Sequence, residues 1–110
     1  MKYEIRITRA AERDLSSAAD YIEHVLLSPQ AANDLLDEAE RRLGELASFP
    51  EKSALVDDPI LKAWGSRFTI VNHYLAFYVI DKEENRIYIV RFLYGKRDWT
   101  SILKQGFSLD

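Results

Sequence analysis

Two apolar segments separated by a short polar turn constrain the fold of this chain more than any other feature. Residues 74–80 and 86–94 are rich in aromatic and β-branched side chains, whereas residues 81–85 are all polar. Such side chains favour strands, and two strands joined by so short a connection pair in the antiparallel direction. The sequence therefore predicts a β-hairpin and, with it, an antiparallel sheet.

The sequence of the N-terminal half predicts one strand followed by two helices. Apolar and polar residues alternate over residues 2–8, which is the period of a half-buried strand. Apolar residues then recur at helical spacing from Ala10 to Leu27 and again over residues 29–48. Because Ser28 and Pro29 break the first pattern and Pro suits the first position of a helix, we expect an antiparallel helical hairpin.

Further strand and helix signals complete the fold prediction. A strand is expected over residues 67–72, with His73 in a tight turn before the hairpin, and a short helix over 99–105. The expected order is a strand, two helices, three antiparallel strands and a short helix, which is an α+β fold. A length of 110 residues provides one hydrophobic core, so we expect a single domain over residues 1–110.

Composition excludes several classes of function. The net charge is −3, unlike that of a chain that binds nucleic acid over its whole surface. Without cysteine there are no disulfides or thiolate metal sites, and with only His24 and His73 we expect neither a metal nor a cofactor. No apolar run reaches the roughly 20 residues that span a bilayer, and no signal peptide is visible. These features predict a cytoplasmic protein without a membrane partner.

Cations gather late in the chain, where the hairpin ends. Such a cluster at the end of a sheet suits a phosphate or the carboxylates of a partner protein. Arg91 lies within an apolar strand, so its guanidinium must reach solvent or pair with a carboxylate such as Asp98. The candidate residues for binding a target or partner are Arg67, Arg86, Arg91, Tyr94, Lys96, Arg97 and Trp99.

An ordered set of residues gives the chain a family resemblance over nearly its full length. The most specific parts are residues 72–78 and 89–98, preceded by matches at Ala11, 14–15, 21–22, 28–32 and 46–50. The chain resembles toxins of the RelE/ParE superfamily of bacterial type II toxin–antitoxin modules. The resemblance implies an α+β toxin that inhibits growth and stabilises plasmids.

The superfamily has branches with different targets. RelE-like toxins cleave mRNA on the ribosome with a basic residue in the central strand, an Arg after Gly-Lys, and a Tyr or His near the C-terminus. Arg97 matches the second of these, but the other two positions are Leu75 and, near the end, Leu103, which cannot transfer protons. The resemblance therefore favours ParE-like toxins, which bind DNA gyrase without catalysis.

Two alternatives remain open at this point. The first is a ribosome-dependent mRNA endoribonuclease with an irregular catalytic set of Arg97, Arg91, His73 and Tyr94. The second is a degenerate, non-toxic binding module of the same fold. Protonatable side chains beside Arg97 in an open cleft would favour cleavage, whereas a buried Leu75 and no base near Arg97 would oppose it.

The resemblance also implies a cognate antitoxin as a partner. In such modules a disordered antitoxin segment folds on the toxin, often as a helix on the sheet or beside the helical hairpin. We expect acidic residues of that segment to be attracted to Arg86, Arg91, Lys96 and Arg97, while an apolar groove supplies most of the affinity. Either a homodimer or a toxin–antitoxin hetero-oligomer is compatible with the sequence.

Overall fold

A computed structural model describes residues 2–110 and contains a four-stranded sheet. The strands are β1 (Glu4–Ile7), β2 (Arg67–Val71), β3 (Tyr74–Asp81) and β4 (Arg86–Tyr94), in the spatial order β1-β4-β3-β2. Strands β2, β3 and β4 form the predicted antiparallel unit, and β1 joins it beside β4 in the parallel direction. The α+β fold predicted from the sequence is confirmed.

The helices begin at residues suited to that position. Helix α1 (Arg9–Asp20) begins after Thr8, whose hydroxyl accepts from the backbone N–H of Ala11, and α2 (Pro29–Ser48) begins after Ser28. Between them lie a π-helical turn (Tyr21–Val25) and Leu27, whose φ of 55° ends the first helix. None of the helices in residues 2–110 has both the length and the apolar character needed to cross a membrane.

Two short helices cover the second face of the sheet. Helix α3 (Pro59–Ala63) was not predicted, although Asp58 followed by Pro59 is a good helix start, and α4 (Trp99–Gly106) matches the predicted C-terminal helix. Their buried residues Leu61 and Leu103 pack in a cluster with residues of β3 and β4. The sheet is therefore covered on both faces, not only by the helical hairpin.

The main core lies between the sheet and the helical hairpin formed by α1 and α2. A bulge opposite Phe77 and Tyr78 leaves Val90 of β4 as the extra residue, so Ile89 and Phe92 both face this core although they are three positions apart. Inward-facing residues of this core come from α1, α2 and all four strands: Ala11, Leu35, Ala39, Leu43, Leu46, Val71, Ala76, Tyr78, Ile87, Ile89 and Phe92, with Ile5 packed against them.

The hydroxyl of Tyr78 provides a test of this core. Tyr78 is fully buried, and its hydroxyl donates to the carbonyl oxygen of Pro50 at 2.7 Å. Burial raises the pKa of this phenol, so the group is a neutral donor. Because Tyr78→Phe leaves that carbonyl unpaired, we expect the free energy of unfolding to fall by about 1–3 kcal/mol in urea denaturation. Tyr21→Phe, at a half-exposed position, is the control, and equal losses in both variants would contradict the prediction.

Candidate binding groove

An open groove lies between the end of the helical hairpin and the ends of β3 and β4. Its volume is about 840 Å³. We call it the terminal groove. Its lining comes from α1, the π-helical turn and its neighbour Leu26, the β2–β3 turn, the start of β3, and the end of β4 with the turn that follows. The lining residues are Asp14, Ser17, Ala18, Tyr21, Ile22, Leu26, His73, Tyr74, Phe92, Tyr94 and Arg97.

The helical wall of the terminal groove exposes large apolar and aromatic side chains to solvent. The N–H of Leu26 donates to the carbonyl of Tyr21 at 3.1 Å, five residues earlier, which is the hydrogen bond of a π-helical turn. The side chains of Tyr21 and Leu26 are 52% and 57% exposed. Such turns occur frequently at functional sites, and exposed apolar side chains beside a concave surface suit a protein partner.

The floor of the terminal groove is a neutral aromatic surface. Tyr74 stacks on Phe92 with 5.1 Å between ring centroids, and Tyr94 meets Tyr74 edge-on at 5.5 Å. Burial, assisted by the neighbouring phenols of Tyr94 and Tyr21, raises the pKa of Tyr74. The phenol therefore stays protonated at neutral pH, and the floor offers apolar area and hydrogen-bonding hydroxyls without charge.

A tight turn after β4 forms the end of the terminal groove. The N–H of Gly95 donates to the carbonyl of His73 at 2.9 Å, and the N–H of Arg97 donates to the carbonyl of Tyr94 at 3.0 Å. A Cβ atom on Gly95 would lie 3.3 Å from the His73 carbonyl oxygen, so glycine permits this close approach. The two turns together place His73, Tyr94 and Arg97 around one opening.

The two cations of this turn are free to bind a partner. Lys96 and Arg97 are exposed, and neither forms an ion pair with any residue between 2 and 110. Asp98, which follows them, accepts from the backbone N–H of Ser101 and so caps α4. The end of the groove therefore carries positive charge that the surrounding chain leaves available.

Arg91 has a structural partner, and it is not the one suggested by the sequence. Its guanidinium binds the Asp14 carboxylate in a bidentate pair of 2.6 and 3.0 Å, which raises the pKa of Arg91, whereas the expected pairing with Asp98 is absent. Asp14 also accepts the backbone N–H of Phe92 at 3.0 Å. Strand β1 ends at Ile7, so α1 and not a strand lies along the next part of β4. Asp14 therefore accepts the hydrogen bond from the Phe92 N–H that a neighbouring strand would otherwise accept.

Arg86 and Arg67 lie away from the terminal groove. Arg86 stands at the start of β4, the opposite end from Tyr94, and pairs with Glu4 at 3.0 Å. Arg67 begins β2 and donates to the carbonyl of Ser53. The expectation of one basic corner that includes Arg86 is therefore wrong.

Leu75 and Trp99 belong to the second face of the sheet. Trp99 packs on Phe77 at 5.2 Å between ring centroids, and Leu75 is partly buried against the same cluster. Successive residues of a strand point to opposite faces, so Leu75 is directed away from the terminal groove, which Tyr74 lines. Leu75 therefore does not line the terminal groove.

The chemistry of the terminal groove suits recognition of a segment with both apolar and anionic groups. Most of its wall and floor is apolar or aromatic, the Asp14 carboxylate in the wall is paired with Arg91, and Arg97 stands at one end. His73 and Tyr94 carry side chains of types that can act in proton transfer, and they line the same groove as Arg97. Residues 2–110 contain no group of three His, Asp or Glu side chains placed to hold a metal ion.

Comparisons with known proteins agree with this architecture. Residues 5–99 match the family model of the ParE toxin of the type II toxin–antitoxin system parDE. The fold is similar to that in the RelBE2 toxin–antitoxin complex from Mycobacterium tuberculosis, with 22% identity, a TM-score of 0.59, and coverage of 86% of this chain and 99% of that one. It is also similar to the chromosomal ParDE system of P. aeruginosa, with 20% identity, a TM-score of 0.68, and coverage of 84% and 96%. No curated protein sequence matches the chain significantly.

Proposed function

Because this chain belongs to the ParE toxin family of type II toxin–antitoxin systems, we propose that it inhibits growth by binding DNA gyrase without catalysis. The observation that carries this proposal is the exposed end of the terminal groove, where Tyr94, Lys96 and Arg97 stand beside an apolar wall. Tyrosine and arginine next to an apolar pocket are typical of the residues that dominate protein–protein affinity.

The arrangement of the other cations supports binding over cleavage. Arg91 is engaged by Asp14, so its charge is already compensated. Leu75 packs on the opposite face and supplies neither a cation nor a proton-transfer group. A ribonuclease mechanism would therefore depend on a single free arginine of the terminal groove.

We further propose that the cognate antitoxin neutralises the toxin by covering this groove. The apolar wall at Tyr21 and Leu26 offers the area that a folding segment needs. An acidic residue of that segment would meet Lys96 and Arg97 at the end of the groove. Such a complex would block access of gyrase to the same cations.

One observation favours the alternative of a ribosome-dependent endoribonuclease. His73 and Tyr94 line the same open groove as Arg97. In such a reaction the 2′-hydroxyl of mRNA attacks the adjacent phosphorus while His73 accepts its proton. The bond from phosphorus to the 5′-oxygen of the next nucleotide breaks, which leaves a 2′,3′-cyclic phosphate, and Tyr94 donates a proton to the departing 5′-oxygen. Arg97 stabilises the charge on the phosphate oxygens. Since this requires proton transfer, substitution of His73 separates it from simple binding.

The test uses purified toxin in two parallel assays, gyrase supercoiling and mRNA cleavage on programmed ribosomes. We expect inhibition of supercoiling with intact mRNA, and about tenfold weaker inhibition by Arg97→Ala, because an exposed cation at a binding site is lost. Arg13→Ala is the matched control, since Arg13 is exposed on α1 and does not line the groove.

Other results would lead to different conclusions. Cuts at defined codon positions that disappear in both Arg97→Ala and His73→Ala would replace the gyrase proposal with the endoribonuclease. Activity in neither assay would favour a degenerate binding module. Equal inhibition by Arg97→Ala and the wild type would remove this end of the groove from the gyrase interface.

A further inference from the structure

The outer edge of β1 presents backbone groups that no described strand pairs. The N–H groups of Glu4 and Thr8 donate toward the β4 side of the sheet, at 2.8 and 3.1 Å. Alternate residues of a strand direct their N–H and C=O groups to opposite edges. Ile5 and Ile7 therefore direct theirs outward, and β1 is an edge strand of the sheet.

A second apolar groove runs beside this edge, between β1 and α2. It has a volume of about 310 Å³ and extends from Ile5 and Ile7 to the α2 residues Leu36, Glu40 and Gly44. Ile7 and Leu36 are 46% and 41% exposed. A chain added to the edge of β1 would therefore place alternate side chains in this groove.

Gly44 leaves open space in this groove, although the fold does not require a glycine at that position. It lies within α2, where glycine is less favourable than alanine by about 1 kcal/mol. Its backbone is not left-handed, and outside its own turn of α2 no atom of the described residues lies within 4 Å of the position that a Cβ would occupy. Neither the backbone conformation nor packing within the described residues requires a glycine at position 44, so this position leaves open space beside the groove.

The charge beside this groove defines the partner further. Glu40 is exposed at the groove and forms no ion pair with residues 2–110. We infer that an extended segment of the antitoxin adds as a strand to β1, with an apolar side chain over Gly44 and a basic one beside Glu40. This inference rests on the proposed function and adds a second contact, separate from the terminal groove.

A second copy of the toxin fits this edge less well. Antiparallel pairing of two β1 strands with Ile5 opposite Ile7 would place Arg6 directly opposite Arg6 of the other copy. It would also bring the two α2 helices together with their unpaired Glu40 residues. Arg6 is already compensated by Glu4 at 2.6 Å, so the repulsion comes mainly from the two Glu40 carboxylates. That repulsion favours a different chain, with a basic residue at this place, as the added strand.

The first test compares Gly44→Leu with the wild-type toxin in calorimetric titrations with the cognate antitoxin. We expect at least tenfold weaker binding, because the leucine fills the space above Gly44. Leucine also has the higher helix propensity, so resistance to urea should be equal or greater. Asp34→Leu, at an exposed position of α2 outside the groove, is the matched control and should bind like the wild type.

The second test follows amide hydrogen exchange in the wild-type complex. The amides of Ile5 and Ile7 should exchange at least tenfold more slowly when the antitoxin is bound, because added strand hydrogen bonds protect them. A wild-type complex that leaves both amides unprotected, or that Gly44→Leu does not weaken, would overturn this inference alone. Absence of any complex would overturn the proposed neutralisation together with it. Self-association that Gly44→Leu abolishes would assign the edge to a second copy instead.

Discussion

Replacement of Asp14 by alanine is expected to lower the free energy of unfolding by about 3–5 kcal/mol. The Asp14 and Arg91 side chains are only 15% and 18% exposed, so the variant leaves a mostly buried guanidinium without its counter-charge. It also removes the acceptor of the Phe92 N–H, which lies along the part of β4 that β1 does not reach. Urea denaturation followed by circular dichroism measures the change.

Two further variants separate this explanation from a general loss of charge. Arg41→Ala removes an exposed cation that binds two glutamates on the surface of α2, and it should change stability far less. The double variant Asp14→Leu with Arg91→Met should recover part of the loss, because neither buried charge remains. A loss of less than 1 kcal/mol in Asp14→Ala would show that Arg91 finds another partner or reaches water.

The central strands were predictable because their aromatic and β-branched side chains favour strand formation locally. Residues 74–80 and 86–94 were predicted as strands, and β3 and β4 occupy nearly the same ranges. The parallel pairing of β1 with β4 was not predicted, since 78 residues separate Ile7 from the start of β4 at Arg86 and no local pattern records that pairing. The π-helical turn was also missed, because its apolar residues have ordinary helical spacing.

The candidate site was less predictable because nearness in sequence differs from nearness in space. Arg86 and Tyr94 are eight residues apart, yet a strand of that length separates them by about 27 Å. Conversely, Asp14 and Arg91 are 77 positions apart and in direct contact. The sequence indicated Tyr94, Lys96 and Arg97 as candidate binding residues, but no pattern in it indicated the α1 wall of the terminal groove.

That helical wall leads to the prediction with the largest expected effect on function. Ser17 of α1 lines the terminal groove, whereas its neighbour Ser16 is exposed outside it. A tryptophan at position 17 would occupy the space that a partner must enter. We expect Ser17→Trp to weaken gyrase binding about 100-fold, the loss typical of a blocked central pocket, and to abolish growth inhibition when expressed without antitoxin.

Ser16→Trp is the matched control, because it adds the same side chain one residue away. Serine and tryptophan have similar helix propensities, so neither substitution should change the free energy of unfolding by more than about 0.5 kcal/mol. Toxicity retained by Ser16→Trp and lost by Ser17→Trp would therefore reflect the groove and not the fold. If Ser17→Trp remains as toxic as the wild type while Arg97→Ala does not, the target contacts the turn after β4 without entering the groove. In that case the exposed wall at Tyr21 and Leu26 would serve the antitoxin alone.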